Sequence, residues 1–356
     1  MGDPKTDIDR LEAEAETVER KIGELLEERG ALAKKIGTKK QEAAEVYHSK
    51  DRHLDRIEKH RGRANQFPAV GTEAVFREIY SACASLERAL RVACPGPEMG
   101  FGHGAAQQAF GASVDLRLLE SIRDVFDEVE RQRADVGIVP VESSAEGVVL
   151  ETLDLLVQTP LKLNGSIRLE AALHLLNKTG NLADVEKVYG HASALSQCRR
   201  FLEERFGKVS LIDVRSFALA AQLAAEDHGA AAVGTGFAAE RYDLRLARSR
   251  IEDAPDAHIR FLTIGERGSA PTGKDRTSVL FSVKDGPGAL YNALKPLADR
   301  GVNLTKIESR PSSNRLWDYV FFIEVDGHVT DRALLAAIED LKRSTKFVKI
   351  LGSFAI

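Results

Sequence analysis

Residues 278–311 read SVLFSVKDGPGALYNALKPLADRGVNLTKIESRP. An apolar run, a Gly-Pro-Gly turn, an amphipathic run and a second alternating run follow one another. This spacing predicts strand, helix and strand. DYVFFIEVDG (318–327) continues as a strand, TDRALLAAIEDLKRST (330–345) as a helix and FVKILGSF (347–354) as a last strand. The order βαββαβ in so short a span is the split βαβ arrangement.

Immediately upstream, SAPTGKDRT (269–277) is a polar linker containing Pro and Gly. Before it, short β-rich runs alternate with helical ones. DVGIVPVES (135–143), VYGHAS (188–193), VSLIDV (209–214) and AAAVGT (230–235) read as strands. SIRDVFDEVERQRA, SALSQCRRFLEERFG and FALAAQLAAEDHG read as amphipathic helices between them. That alternation predicts a doubly wound α/β domain. LARSRIEDAPDAHIRFLTIG (246–265) returns to strand character after a loop.

Pro95 and Gly96 mark the change to an all-helical start. From residue 7 to about 60, Leu11, Ala15, Val18, Ile22, Leu25, Leu26, Leu32, Ile36 and Val46 recur at helical steps, with charges on the other face. RGRANQFPAVG (61–71) is a loop, and a second helix is predicted from Thr72 to about Val92. So long an apolar stripe is expected to pack on the second helix and on another protomer. The segments are therefore expected at 1–92, 93–268 and 275–356.

The 356 residues are 43% hydrophobic and 29% charged, with a net charge of −4. No bulk electrostatic term favours nucleic acid or an anionic membrane. No apolar run spans a bilayer. The acidic start MGDPKTDIDRLEAE lacks an apolar signal core, so a cytoplasmic location is expected. Cys83, Cys94 and Cys198 form neither a metal-ligand cluster nor an even disulfide set, so reduced thiols and no metal are expected.

GPGALY (286–291), NLTKIESRP (303–311) and the closing FVKILGSF resemble the ACT regulatory modules that bind L-phenylalanine. The whole chain resembles the bifunctional chorismate mutase/prephenate dehydratase family. The resemblance implies a helical hairpin, a two-lobed α/β domain like the periplasmic binding proteins and a βαββαβ regulatory domain, with no cofactor. It implies small-molecule ligands, a chorismate- or prephenate-like acid and L-phenylalanine, and assembly as a homodimer or homotetramer.

The effector residues it implies are Gly288, Ala289, Leu290, Asn303, Glu308, Ser309, Arg310 and Pro311. Glycines at a helix start expose N–H groups that suit a carboxylate. Asn303 and Glu308 suit an ammonium group, and Leu290 suits a ring. In the helical segment, Arg29, Lys40, Arg52 and Glu87 fall at family positions. Arg29 and Lys40 lie eleven residues apart on one helix face, within reach of one dianion. Glu12 stands where the family has an arginine. Ser49 and His53 stand where it has acids.

The dehydratase-like scaffold is kept in VPVESSAEGVVLETLDLL (139–156), HASALSQCRRFL (191–202), AAVGTGFAAERYDL (231–244) and IRFLTIG (259–265). Its polar residues differ. Met99, Gly100 and Gly102 replace glycine, threonine and serine, Ala145 replaces threonine, and Phe217 the second residue of a Ser-Thr pair. Ile259 replaces the threonine before Arg-Phe. Prephenate aromatises by losing CO2 and its ring hydroxyl, and hydroxide leaves only with a proton or hydrogen bond donated to it. Ile259 has none to give. Arg260 suits a substrate carboxylate, Ser144 keeps a hydroxyl in the pocket motif, and His103 and His258 are replacement donors. Three activities stay open: the bifunctional enzyme, a non-aromatising decarboxylase, and a phenylalanine-sensing regulator without catalysis.

Overall fold

The computed structural model describes residues 4–42, 56–57, 59–62, 66–283, 286–311 and 319–356. The chain forms two compact units, one of residues 1–90 with 110–115, the other of 91–109 with 116–356.

The first unit is built on α1 (Pro4–Glu42) and α2 (Ala69–Glu87). Small residues let the two approach. Ala33 is fully buried, and a Cβ on Gly37 would stand 2.6 Å from the Glu87 carbonyl oxygen. Of the predicted stripe, Leu11, Val18, Ile22 and Leu25 are more than half exposed in a single protomer, and Leu26, Leu32 and Ile36 are exposed to a lesser degree. Val46 and the expected helix from residue 43 to 55 lie outside the described residues. The second helix starts three residues earlier than the pattern predicts and stops at Glu87. Arg88 turns extended (φ −164°), and Arg91–Pro95 forms strand β1 instead. The apolar run Val92-Ala93-Cys94 fits a half-helix as well as a strand; its place beside another strand decides, because all three are fully buried there.

The second unit starts with a mixed sheet. Its strands are β1, β2 (Asp115–Leu119), β3 (Val136–Ser143), β4 (Gly147–Val148), β5 (Lys162–Glu170) and β11 (His258–Gly265). The order is β2-β1-β3-β11-β5, with β4 hairpinned onto β3. β1 and β3 run parallel; β11 runs antiparallel to both β3 and β5. Helices α3 (Phe101–Phe110), α4 (Ile122–Glu130) and α5 (Leu150–Gln158) connect these strands. Between β5 and β11 the chain builds a second sheet in the order β10-β6-β9-β7-β8. It contains β6 (His174–Asn177), β7 (Lys187–Gly190), β8 (Ser210–Asp213), β9 (Ala230–Gly234) and β10 (Arg245–Arg248), with β7 parallel to β8 and β9. The two-lobed α/β expectation holds, but the sheets are mixed rather than wholly parallel. The helix expected over 193–207 is two, α6 (Ala192–Gln197) and α7 (Arg199–Phe206), broken at Cys198 (φ −112°, ψ 16°). Helices α8 (Phe217–Glu226) and α9 (Gly236–Arg241) complete this lobe.

The last part is β12 (Asp275–Ser282), α10 (Ala289–Asp299), β13 (Leu304–Pro311), β14 (Tyr319–Asp326), α11 (Arg332–Ser344) and β15 (Phe347–Ala355). The sheet order is β13-β14-β12-β15. β12 begins inside the expected linker, because Asp275 is buried and accepts hydrogen bonds from Thr272 N, Gly273 N and Thr272 Oγ1. Helices α10 and α11 cover one sheet face over Val279, Phe281, Ile323 and Val325. The other face is not solvated. Leu280, Phe322, Leu351 and Phe354 share one core with Val139, Leu163, Leu262 and Ile264 of the first lobe. Each such side chain contributes about 1.5–3 kcal/mol by leaving water. β15 passes so close to β5 that a Cβ on Gly352 would run into the Leu163 carbonyl. The regulatory-type sheet is thus a second layer of the first lobe.

Among the described residues no helix is long and apolar enough to cross a membrane. All three cysteines are free and buried. Burial pushes the Cys94 thiol up to about 12, which keeps it protonated and unreactive.

Candidate functional sites

In the helical unit, α1 and α2 bring Lys40 and Glu87 together, Nζ to Oε2 at 2.5 Å, with Glu87 8% exposed. Arg29 stands near the same face of α2. Its charge acts on Tyr80 and Cys83, where burial nonetheless wins and raises both groups. The Arg29 Nη1 is buried and has no hydrogen-bond partner. A buried donor without an acceptor is costly unless a ligand supplies one. The open Arg29 nitrogen is a positive donor, which suits an anion. Glu12 is exposed on α1. Arg52, Ser49 and His53 lie outside the described residues.

In the two-lobed part, the C-terminal ends of β1 and β3 and the start of β11 share one edge. The parallel strands β7, β8 and β9 bring the starts of α6, α8 and α9 to one edge of the second lobe. The loop Gly96–Gly100 joins the two edges. Glu98 O accepts from Ala218 N at 3.2 Å, and Met99 O from the buried Thr235 Oγ1 at 2.8 Å. Met99 has φ 61°, a left-handed conformation suited to glycine, yet its side chain is buried in the second lobe's core. Packing across the cleft compensates the backbone strain. Phe217 lies edge-on to Phe101 at 6.0 Å and stacked with His191 at 5.9 Å. Gln197 donates to Glu146 across the opening at 3.2 Å.

His103 folds back so that Nδ1 accepts from Met99 N at 3.2 Å. That assigns the proton to Nε2, a donor. Burial lowers its proton affinity, against an opposing pull from Glu98, and so favours the neutral ring. Ser144 Oγ accepts from His258 N at 2.9 Å, next to Ile259, and keeps its own proton free. His258 Nδ1 is taken by the Asp256 carbonyl at 2.7 Å.

Arg260, expected to meet a substrate carboxylate, is engaged elsewhere. Its Nε donates to Ser166 at 3.1 Å, Nη1 to Glu142 at 3.4 Å and Nη2 to the fully buried Glu324 of β14 at 2.8 Å. On a strand, successive side chains alternate faces. Arg260 therefore turns to the regulatory layer, with its guanidinium 5.9 Å from the Phe354 ring.

In the regulatory part, Gly288 takes φ 75° at the start of α10. The N–H groups of Leu290 and Tyr291 open this helix, where no intrahelical acceptor exists. Leu290 is half-buried against the helix-side core. On β13, Ser309 pairs with Phe321, whose ring stacks on Phe281 of the helix side, whereas Glu308 pairs with Phe322 of the opposite face. Within one protomer Ser309 thus lies on the side of α10, while Glu308 and Arg310 lie on the other. Arg310 is held by Asp154 of α5 in a two-pronged contact of 2.7 and 3.2 Å. Asn303 donates to Asp326 at 2.9 Å, and Pro311 ends the strand. Lys306, unremarked in the sequence, reaches Glu142 of β3. Only the layering of the two sheets brings these residues together, and no motif signals it.

Residues 11–88 match the chorismate mutase type II family, 92–269 the prephenate dehydratase family and 277–343 the ACT domain. The chain is 44% identical over 354 residues, 98% of each chain, to a bifunctional chorismate mutase/prephenate dehydratase of Aquifex aeolicus. It is similar to the structure of an Arthrobacter aurescens prephenate dehydratase in complex with L-Phe, at 31% identity and TM-score 0.65, over 75% of this chain and 90% of that one. A structure titled a novel type of quorum quenching acylase aligns at 27% identity and TM-score 0.64, over 74% of this chain and 97% of that one. So similar a fold carries different chemistry, and residues, not fold, must decide the reaction.

Proposed function

The chain belongs to the bifunctional chorismate mutase/prephenate dehydratase family, and from that membership we propose that it converts chorismate through prephenate to phenylpyruvate under control of L-phenylalanine. The observation that carries the reading is the buried Arg29 Nη1 without a hydrogen-bond partner, on the α2 face that also carries Cys83 and the Glu87 contacted by Lys40. Arg29 and Lys40 hold the two carboxylates of chorismate in the compact form that rearranges. Electrostatic groups already in place cost no reorganisation when charge shifts.

In the cleft, prephenate's carboxylate and hydroxyl leave together. Ile259 offers no proton, so the hydroxide is met by Ser144 Oγ and the Nε2–H of His103, both with donors left free by their own hydrogen bonds. Arg260 acts as a positioning residue that holds β11 against the regulatory sheet. Gly288, Ala289 and Leu290 of one protomer face the Asn303 and Glu308–Pro311 segment of another, which accounts for Glu308 pointing away from its own α10. The exposed stripe of α1 is covered in the same assembly, a homodimer or homotetramer in the cytoplasm. The three segments act as domains 1–92, 93–268 and 275–356.

Purified protein given chorismate, then prephenate, with products followed by mass and ultraviolet absorbance, tests the reading. Phenylpyruvate is expected from both. A product that has lost CO2 but not water overturns the dehydratase step. Absence of turnover overturns catalysis altogether.

A further inference from the structure

The strand that carries the effector segment and the strand that ends in the dehydratase pocket are joined directly by two side chains. Lys306 of β13 forms an ion pair and hydrogen bond with Glu142 of β3. Lys306 is 12% exposed and Glu142 34%. Each lies two residues from a residue placed at a ligand: Lys306 from Glu308 on the same face of β13, and Glu142 from Ser144 in the turn that follows β3. Glu142 also accepts from Arg260, which sits opposite it in the register next to the Ile259–Ser143 pair. Burial opposes the charge on Glu142, but hydrogen bonds and charge from Lys306 and Arg260 outweigh it and hold the carboxylate ionised.

The neighbouring contacts differ in kind. Arg260 and Arg276 close on the fully buried Glu324 at 2.8 and 3.7 Å, and Phe322 and Phe354 fill the same layer. There the carboxylate is fully buried among packed aromatic rings, so this part anchors the two sheets. The Lys306–Glu142 pair lies at its rim, on the edge strand β13. An edge strand has one neighbour and can tilt where an inner strand cannot. A movement of β13 therefore reaches β3 first through this pair.

We infer that the Lys306–Glu142 pair is the joint through which an amino acid bound at the β13 segment alters the dehydratase pocket. The inference rests on the effector reading above and adds the residues that transmit it. A ligand that reorients Glu308 changes the pose of Lys306, and with it the Glu142 end of β3 and the Ser143–Ser144 turn. Coupling of this kind is a free energy shared between two sites, so it is read as the change one ligand makes in the affinity of the other.

The test titrates the full chain with prephenate, in the absence and presence of saturating L-phenylalanine, and separately with L-phenylalanine alone. The unmodified protein is expected to bind L-phenylalanine and to change its prephenate affinity at least fivefold on doing so. Lys306→Met is expected to bind each ligand alone within about threefold of normal, while the change between them falls close to one. Glu142→Gln should do the same from the other strand, the double variant should lose no more than either, and Lys306→Arg should keep most of the coupling. Loss of fold in Lys306→Met, seen by thermal melting, leaves Glu142→Gln to decide. Coupling that persists in both variants overturns the joint and leaves the effector reading intact. A protein that binds L-phenylalanine with no effect on prephenate also overturns the joint. A protein that does not bind L-phenylalanine overturns the effector reading and the joint together.

Discussion

Two Lys–Glu pairs cross between elements here, and they behave as opposites. Lys40–Glu87 lies on the α2 face where a buried Arg29 guanidinium nitrogen has no hydrogen-bond partner. Lys306–Glu142 belongs to a group in which Lys306, Arg260 and Arg276 balance Glu142, Glu324 and Asp326. Glu324 Oε2 and Arg276 Nε make no hydrogen bond, yet Arg276 Nη1 lies 3.7 Å from Oε2 and Nη2 3.7 Å from Asp326. A buried guanidinium with no ion pair among the described residues is a place for a ligand. Balanced charge between packed sheets is a fastening. The lesson is to count partners around a charge before assigning it to chemistry; Arg260 has three within the chain.

The contrast can be broken where it is strongest. Glu324→Ala strands Arg260 and Arg276 in the shared core and is expected to cost about 3–5 kcal/mol, read as a lowered thermal midpoint. Arg29→Met should leave the midpoint nearly unchanged and reduce chorismate mutase kcat/KM about 100-fold, on the order of 3 kcal/mol of lost transition-state stabilisation. If both variants only destabilise, the distinction between ligand site and fastening is wrong. Gly352→Ala forces β15 off β5, with an expected loss of about 1–3 kcal/mol in denaturant unfolding. Glu87→Gln removes a negative charge from beside Lys40 and is expected to tighten binding of a chorismate-like dianion about tenfold, near 1.4 kcal/mol, measured by calorimetry.

The smallest effect is with pH. The folded protein depresses the proton affinity of His103 and His174, burial being the leading cause in each. The unfolded chain then binds more protons as pH falls through 6.5, the ordinary histidine value, so stability declines there. Glu142 is also depressed, so its contribution is present above 4.5, its ordinary value, and fades as pH falls further. Denaturant midpoints from pH 7 to 4 should fall in those two steps, and Glu142→Gln should flatten the lower one.

Much of the architecture is legible along the chain because its signals are local. Helical spacing in α1, the breaks at Pro68 and Pro95, and the Gly-Pro-Gly before α10 each act over a few residues. Cys198, by contrast, breaks a helix whose pattern runs through it. Arg91–Pro95 becomes a strand only because β3 lies alongside. At the cleft, Met99 in place of glycine looks like damage in the sequence. In three dimensions it is buried against the second lobe and its carbonyl is bonded there.

What the sequence determined by itself is the order of three segments, their periodicities and the motifs that resemble phenylalanine- and chorismate-binding ones, since these depend on neighbours within a turn or a strand. What only the tertiary structure decided is which charges are free. The Arg29 Nη1 is left open because it is buried without an acceptor, and Arg260 is taken because a strand 64 residues later supplies Glu324. Whether a charge is satisfied depends on which groups long-range packing places within a few ångströms and how much water it removes. No local pattern encodes that.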